Sequence, residues 1–223
     1  MELLTSFIDL FVHLDEHLTE LVSTYGVLTY GILTAIIFAE VGLVVTPFLP
    51  GDSLLFAVGA IAATGALDLW LLLVLLEVAA IVGNVVNFQI GRWVGPNATR
   101  LRFVNQAHLE KTHQFFEKHG GKTIILARFL PIFRTFAPFV AGVGRMSQGW
   151  FLLYSVIGGT AWIFGFTLLG YFFGNLPIVE KNFSLVILGI VGVTFVPVVY
   201  EAVKHALERR SETDGVRAAA TDR

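Results

Sequence analysis

Long apolar stretches separated by short polar ones dominate the pattern of this chain. Four stretches have about twenty residues or more, the length that a helix needs to cross a bilayer. They cover residues 27–48, 67–95, 150–174 and 183–203. Residues 53–66 are as apolar but too short to cross, and residues 123–145 are apolar but interrupted by prolines. The pattern predicts an all-α integral membrane protein.

The composition agrees with this class and excludes others. The chain is 55% hydrophobic and only 14% charged, whereas soluble domains carry about 25% charged residues. The net charge of −2 and the lack of a basic patch predict no nucleic-acid partner. Without cysteine, disulfides and zinc–thiolate sites are excluded. No basic segment opens the chain, so no removable signal peptide is expected.

Residues 1–26 have the spacing of an amphipathic helix. Apolar residues recur three or four positions apart and acids fill the other positions, which is typical of a helix lying in the membrane interface. A helix packed on the membrane domain is the alternative. The apolar positions are Phe7, Leu10, Phe11, Leu14, Leu18 and Leu21.

Two proline breaks predict re-entrant hairpins in the membrane domain. Pro50 and Gly51 separate a long apolar segment from a short one, so the first hairpin is placed at about residues 27–66. Pro131 and Pro138 are expected to form the turns of a second hairpin at about residues 123–148. Non-helical backbone at membrane depth is tolerated only where protein buries it or a wet cavity borders it.

The two halves share an order of features. Phe-Leu-Pro occurs at residues 48–50 and 129–131, and a Gly-xxx-Gly pair follows each about forty residues later, at 91–95 and 170–174. The predicted fold is therefore two inverted repeats, each a re-entrant hairpin plus a transmembrane helix. In transporters such repeats place the substrate site near the midplane. Chance recurrence is the alternative, and the Gly-xxx-Gly pairs themselves favour close helix packing.

Basic residues predict the orientation. Of 15 lysines and arginines, seven lie at residues 92–128 and five at residues 204–223. The positive-inside rule puts both regions in the cytoplasm, so the N-terminus is expected outside and the C-terminus inside. The membrane domain is placed at residues 27–203, with the repeat core at about 27–174 and a disordered cytoplasmic tail at 204–223.

Four charged residues fall within the apolar, broken segments. Glu40 and Asp52 belong to the first hairpin, and Arg128 and Arg134 to the second. Each costs about 2.5–3.5 kcal/mol at the bilayer centre if unpaired, so we expect the two acids and two bases to neutralise one another in a shared cavity. The alternative is that the hairpins are shallow and each charged side chain extends to the lipid headgroups.

Other polar residues give weaker signals. Glu77 and Asn84 lie in a predicted span and are candidates for lining the same cavity. His113 and Glu117 have a metal-ligand spacing, as members of a group with His108, His119 and Glu110, but a solvated helix is favoured over a metal site. No catalytic set of residues is found, so neither an enzyme nor a cofactor is expected.

Several motifs resemble the DedA family of bacterial membrane proteins, whose common core is the VTT domain. They are Glu40, FLPGDSLLF at 48–56, HGGKTIILARFLPIFRTFAPFVAG at 119–142 and GYFFG at 170–174. The resemblance implies facing re-entrant hairpins, residence in the plasma membrane and a role in envelope homeostasis. It also implies transport of polyprenyl phosphate carriers or phospholipids that depends on the proton-motive force.

The resemblance also implies roles for particular residues. The family's essential acids match Glu40 and Asp52, and its essential arginines match Arg128 and Arg134. Many members carry an acid in the pattern GDxxxYxxGR, where this chain reads GNVVNFQIGR over residues 83–92. Asn84 cannot titrate, so either proton coupling is altered here or Glu77 replaces that acid.

A lipid flippase is the first hypothesis for function. Arg128 and Arg134 would bind a lipid phosphate, since guanidinium forks suit phosphate oxygens. Glu40 and Asp52 would compete for the arginines until protonated. The alternatives are a proton-coupled antiporter for small ions and a non-transporting membrane scaffold. The sequence does not predict an oligomeric state.

Overall fold

The computed structural model describes residues 14–43, 51–98, 121–128, 131–190 and 192–193. Every regular element within these ranges is a helix, which confirms the all-α class. The helices are α1 Leu14–Tyr25, α2 Leu28–Gly42, α3 Gly51–Ala63, α4 Leu69–Ala98, α5 Lys122–Ala127, α6 Pro131–Val143, α7 Gln148–Phe173 and α8 Pro177–Glu180, with a further helical stretch over residues 183–190.

Two helices of the described ranges are long and apolar enough to cross a membrane. They are Leu69–Gly95 within α4 and Gln148–Phe173, which is α7. The two helices run antiparallel, because Glu77 contacts Thr160 whereas Asn84, further along α4, contacts Ser155. Large exposed aromatic side chains lie near both ends of this pair, as in the interfacial belts of membrane proteins. They are Trp93 and Trp150 at one end and Trp70 and Phe172 at the other.

The remaining main helices are short and cover the long pair. α2 has 15 residues and α3 has 13, so each is about 20 Å long and falls short of the roughly 30 Å hydrocarbon core. α2 and α6 pack against α4, whereas α3 and α5 pack against α7. The apolar segment predicted at residues 27–48 is helical as far as Gly42, Leu43 is extended, and residues 44–50 lie outside the described ranges.

Glycines bring α3 and α7 into backbone contact. A Cβ atom on Gly59 would overlap the carbonyl oxygen of Thr167, and a Cβ atom on Gly170 would overlap the carbonyl oxygen of Phe56. Each glycine follows the opposing carbonyl residue of its own helix by three positions. Only glycine permits this approach, so the two helices cross with their main chains touching.

The same arrangement joins α4 and α6. A Cβ atom on Gly142 would overlap the carbonyl oxygen of Phe88, and one on Gly91 would overlap that of Phe139. Here too each glycine follows the carbonyl residue of its own helix by three positions. The prediction that the Gly-xxx-Gly pairs serve close helix packing is confirmed.

The residues predicted to form hairpin turns occupy different positions in the structure. Gly51 begins α3 and Pro131 begins α6, a position where the missing proline N–H would have no intrahelical partner. Pro138 was wrongly predicted to form a turn. It lies inside α6, which loses one backbone hydrogen bond there and continues to Val143. Pro50 lies outside the described residues.

Both ends of the membrane domain are described only in part. α1 covers the later half of the predicted amphipathic helix, with Leu18 buried in the core and Glu16 and Glu20 exposed. The last predicted span is helical over residues 183–190, and its residues from 194 onward lie outside the described ranges.

Candidate functional site

Polar side chains from four short segments meet between the two long helices. Glu40 lies near the end of α2, Asp52 is the second residue of α3, Arg128 follows α5 and Arg134 lies in α6. Glu40, Arg128 and Arg134 are buried, and Asp52 is mostly buried. The fold therefore brings the four charged residues predicted from the sequence into one region.

Arg134 is paired with both acids. Its Nη2 donates to Glu40 Oε1, and its Nη1 donates to Asp52 Oδ1 at 2.6 Å. The Glu40 carboxylate also lies against Gly51 at the start of α3, where any Cβ atom would overlap it. The N-terminal end of a helix favours negative charge, so Gly51 gives Glu40 access to that end. One guanidinium thus joins α2, α3 and α6.

Trp162 completes this cluster, and sequence reasoning missed it. Its indole Nε1 donates to Asp52 Oδ1 at 2.7 Å, and its ring centroid lies 4.6 Å from the Cζ of Arg134 and 6.0 Å from that of Arg128. Both guanidinium groups therefore face one aromatic ring. A tryptophan in the middle of a predicted span was the available signal, because tryptophans of membrane helices concentrate at the interfaces.

Arg128 has a different environment from Arg134. Its Nη2 donates to Ser155 Oγ at 3.4 Å, and its Nη1 is buried and has no hydrogen-bond partner among the residues that the structure describes. Within the described residues no carboxylate forms an ion pair with it. The expectation that all four charges neutralise one another is therefore wrong for Arg128, because both Glu40 and Asp52 point to Arg134.

Polar residues of α4 link this site to its neighbours. Asn84 Nδ2 donates to Ser155 Oγ at 2.7 Å, so Ser155 connects Asn84 with Arg128. Glu77 Oε1 accepts from Thr160 Oγ1 at 3.0 Å. Asn87, which the sequence analysis did not select, donates to the carbonyl oxygens of Val41 and Thr135 at 3.1 and 2.8 Å. It thereby ties α2 and α6 to α4.

The described ranges contain no group of three histidine, aspartate or glutamate residues placed to hold a metal ion. His108, His113 and His119, the histidines considered for a metal site, lie outside those ranges.

Comparison with known proteins places this helical membrane chain in a family. The VTT domain model matches residues 49–172, which include every site residue named above except Glu40 and Val41. The chain belongs to the DedA family of bacterial membrane proteins and is close to DedA. Protein DedA of Escherichia coli K12 is 54% identical over 92% of this chain and 96% of its own length.

More distant relatives agree with this assignment. An uncharacterized membrane protein of Mycobacterium leprae is 44% identical over 80% of this chain and 81% of its own. The inner membrane protein YqjA of Escherichia coli K12 is 35% identical over 81% of this chain and 83% of its own. No solved structure matches the chain.

Proposed function

We propose that this protein is a transporter, not an enzyme, that moves a phosphate-bearing lipid across the bacterial plasma membrane for envelope homeostasis. The lipid is a polyprenyl phosphate carrier or a phospholipid. One observation carries the proposal: Arg128 is buried in the membrane domain, and no described carboxylate pairs with it. A buried guanidinium needs an anion, and its planar fork suits phosphate oxygens.

Arg134 supplies the second phosphate contact in this proposal. Glu40 and Asp52 occupy its guanidinium in the described state. A proton on either acid removes one of these charge pairings and frees Arg134 for the phosphate. Because both arginines face the Trp162 ring, one headgroup bound beside that ring can meet both. Proton entry from one side of the membrane would then drive the cycle.

We further propose that α2–α3 and α5–α6 are re-entrant hairpins related by an inverted repeat. Their short helices and the equivalent glycine crossings of α3 with α7 and of α6 with α4 support this arrangement. The site then lies near the midplane between the repeats, where transporters bind their substrates. The proposed orientation keeps the N-terminus outside and the C-terminus in the cytoplasm.

A membrane scaffold is the second candidate, because the paired contacts of Arg134 would also hold two hairpins together. Exchanging the charges separates the two candidates. Asp52→Arg combined with Arg134→Asp re-forms the pair and should restore a scaffold's stability and cellular role. A transporter regains stability only, because its phosphate contact is lost. The antiporter alternative leaves Arg128 without a role.

The decisive experiment measures lipid movement in vesicles that contain only this protein. Labelled polyprenyl phosphate, phospholipids and a phosphate-free diacylglycerol are compared with and without a pH gradient. We expect movement of a phosphate-bearing lipid, and a loss of at least about tenfold for Arg128→Lys, because lysine cannot bind phosphate through a planar fork. The matched control is Arg145→Lys, at an exposed arginine. Wild-type transport by Arg128→Lys would contradict the proposal.

Cysteine labelling tests the orientation in this cysteine-free chain. Single cysteines at Ser23 and Asn182 should react with an impermeant thiol reagent from outside, whereas one at Asn105 should not. Labelling at Asn105 from outside would overturn the inverted-repeat layout.

A further inference from the structure

Glu77 and Arg128 both lie against the same glycine. A Cβ atom on Gly159 would lie 3.1 Å from Glu77 Oε1 and 3.3 Å from Arg128 Nη1. Glycine therefore leaves a gap between an acid on α4 and the arginine that follows α5. The methyl group of alanine at this position would already crowd both groups.

Each of the two side chains has an unused polar atom. Arg128 Nη1 and Glu77 Oε2 are both buried, and neither has a hydrogen-bond partner within the described residues. The other carboxylate oxygen of Glu77 is engaged by Thr160. Unpaired polar atoms in a membrane interior are costly, so both atoms favour a state in which they gain a partner.

The surrounding charges leave Glu77 as the acid available to Arg128. Glu40, on α2, and Asp52, on α3, both bind Arg134 of α6. Asn84, two turns along α4 from Glu77, carries no charge and donates to Ser155. Among the described acids of the site, Glu77 is thus the one that no arginine engages.

We propose that Glu77 is the resident competitor for the phosphate site of Arg128. In the described state Glu77 accepts from Thr160 and faces Arg128 across Gly159; it moves onto Arg128 as the phosphate group leaves and returns to Thr160 when a phosphate group arrives. This inference rests on the proposed function and adds the residue that releases the substrate. Each arginine of the site then has its own acid: Arg134 has Glu40 and Asp52, and Arg128 has Glu77.

A double-mutant cycle in detergent tests the pairing without any lipid. Glu77→Gln keeps an oxygen for Thr160 and removes only the charge. We expect the melting temperature of Glu77→Gln with Arg128→Gln to differ from the sum of the single effects by at least about 2 °C, since interacting groups are non-additive. The matched control pairs Arg128→Gln with Asp68→Asn, an exposed acid at the start of α4; that pair should add. Additive effects for Glu77 and Arg128 would overturn the inference.

Competition is tested by titrating the purified protein with dihexanoyl phosphatidate, a soluble phosphate-bearing lipid. Glu77→Gln should lower the Kd at least threefold, because the competitor is gone. Gly159→Ala retains both charges but places a methyl group in the gap across which they pair, so it should hinder the competition and lower the Kd as well. Its control is Gly165→Ala on the same helix, where a Cβ atom meets nothing within 4 Å, and it should bind as the wild type does. An unchanged or higher Kd for Glu77→Gln would overturn the competition.

The two experiments separate this inference from the proposed function. If the wild type binds the phosphatidate no better than dihexanoyl glycerol while the cycle is non-additive, phosphate recognition fails and the Glu77–Arg128 pairing holds. If the phosphatidate binds but the cycle is additive, phosphate recognition holds and the pairing fails.

Discussion

Arg134 and Arg128 are equally buried, each with 4% of its surface exposed, yet they are compensated in opposite ways. Arg134 contacts two carboxylates and packs at 4.6 Å from the Trp162 ring, whereas Arg128 contacts one hydroxyl. Within the described residues each keeps one buried nitrogen without a partner, Nε of Arg134 and Nη1 of Arg128. Burying a charge in a membrane is tolerated only with partners. The contrast indicates that the contacts of Arg134 stabilise the fold, and it is the reason for proposing that Arg128 binds the phosphate group.

The largest effect is expected from removing Arg134. Arg134→Gln leaves Glu40 and Asp52 without their cation, and breaking a buried pair in this way costs about 3–5 kcal/mol. Arg128→Gln should cost less than Arg134→Gln, because Arg128 forms no ion pair in the described state and its proposed partner Glu77 keeps its contact with Thr160. The losses of stability of the two variants are compared by thermal unfolding in detergent.

Asp52→Asn serves as the partner variant in this measurement. Added to Arg134→Gln, it should recover part of the lost stability, because one stranded carboxylate is neutralised. Effects that simply add would mean that these side chains do not share a buried site. Equal losses for the two arginine variants would abolish the contrast between them.

An intermediate effect is expected at Trp162. Trp162→Phe removes the donor to Asp52, which leaves that carboxylate with one hydrogen bond fewer and costs about 1–3 kcal/mol. An aromatic ring still faces both arginines, so phosphate binding should fall less than stability does. Trp93→Phe, at an exposed tryptophan, provides the control, and an equal loss of stability there would remove the special role of Trp162.

The smallest effect is expected at Ser155. Ser155→Ala removes the acceptor shared by Asn84 and Arg128 and should lower stability by about 1 kcal/mol. Chemical denaturation in mild detergent can resolve a change of this size. A loss as large as that of Arg134→Gln would show Arg128 to be held as firmly as Arg134, and the comparison would fail.

Much of the fold could be predicted because the length of an apolar run and the spacing of glycines can both be read from short stretches of sequence. The two long helices follow from uninterrupted apolar runs, and the Gly-xxx-Gly pairs at 91–95 and 170–174 lie in the predicted helix contacts. Pro138 misled because a proline can also sit inside a short helix. Helix boundaries near a proline depend on packing, which the chain pattern does not contain.

The site was predicted in its members but not in its pairings. The free-energy cost of placing a charge in an apolar segment singles out Glu40, Asp52, Arg128 and Arg134. This cost does not determine which acid pairs with which base, since that depends on how the helices cross. Asn87 was missed for a related reason, because only its partners make it part of the site, whereas the unusual mid-span position of Trp162 was a signal that was overlooked.

The glycine contacts group the helices into two blocks, one that contains α4 and α6 and one that contains α3 and α7. Main-chain contact at the glycines holds α4 against α6 and α3 against α7, so we expect each pair to move as one body. With α2 on α4 and α5 on α7, Glu40 and Arg134 belong to one block, and Asp52 and Trp162 to the other. The contacts Arg134–Asp52, Asn84–Ser155 and Glu77–Thr160 all bridge the two blocks. In the proposed transport cycle, movement of one block against the other breaks these hydrogen bonds, which protons or an anion then replace, whereas the glycine contacts within each block persist.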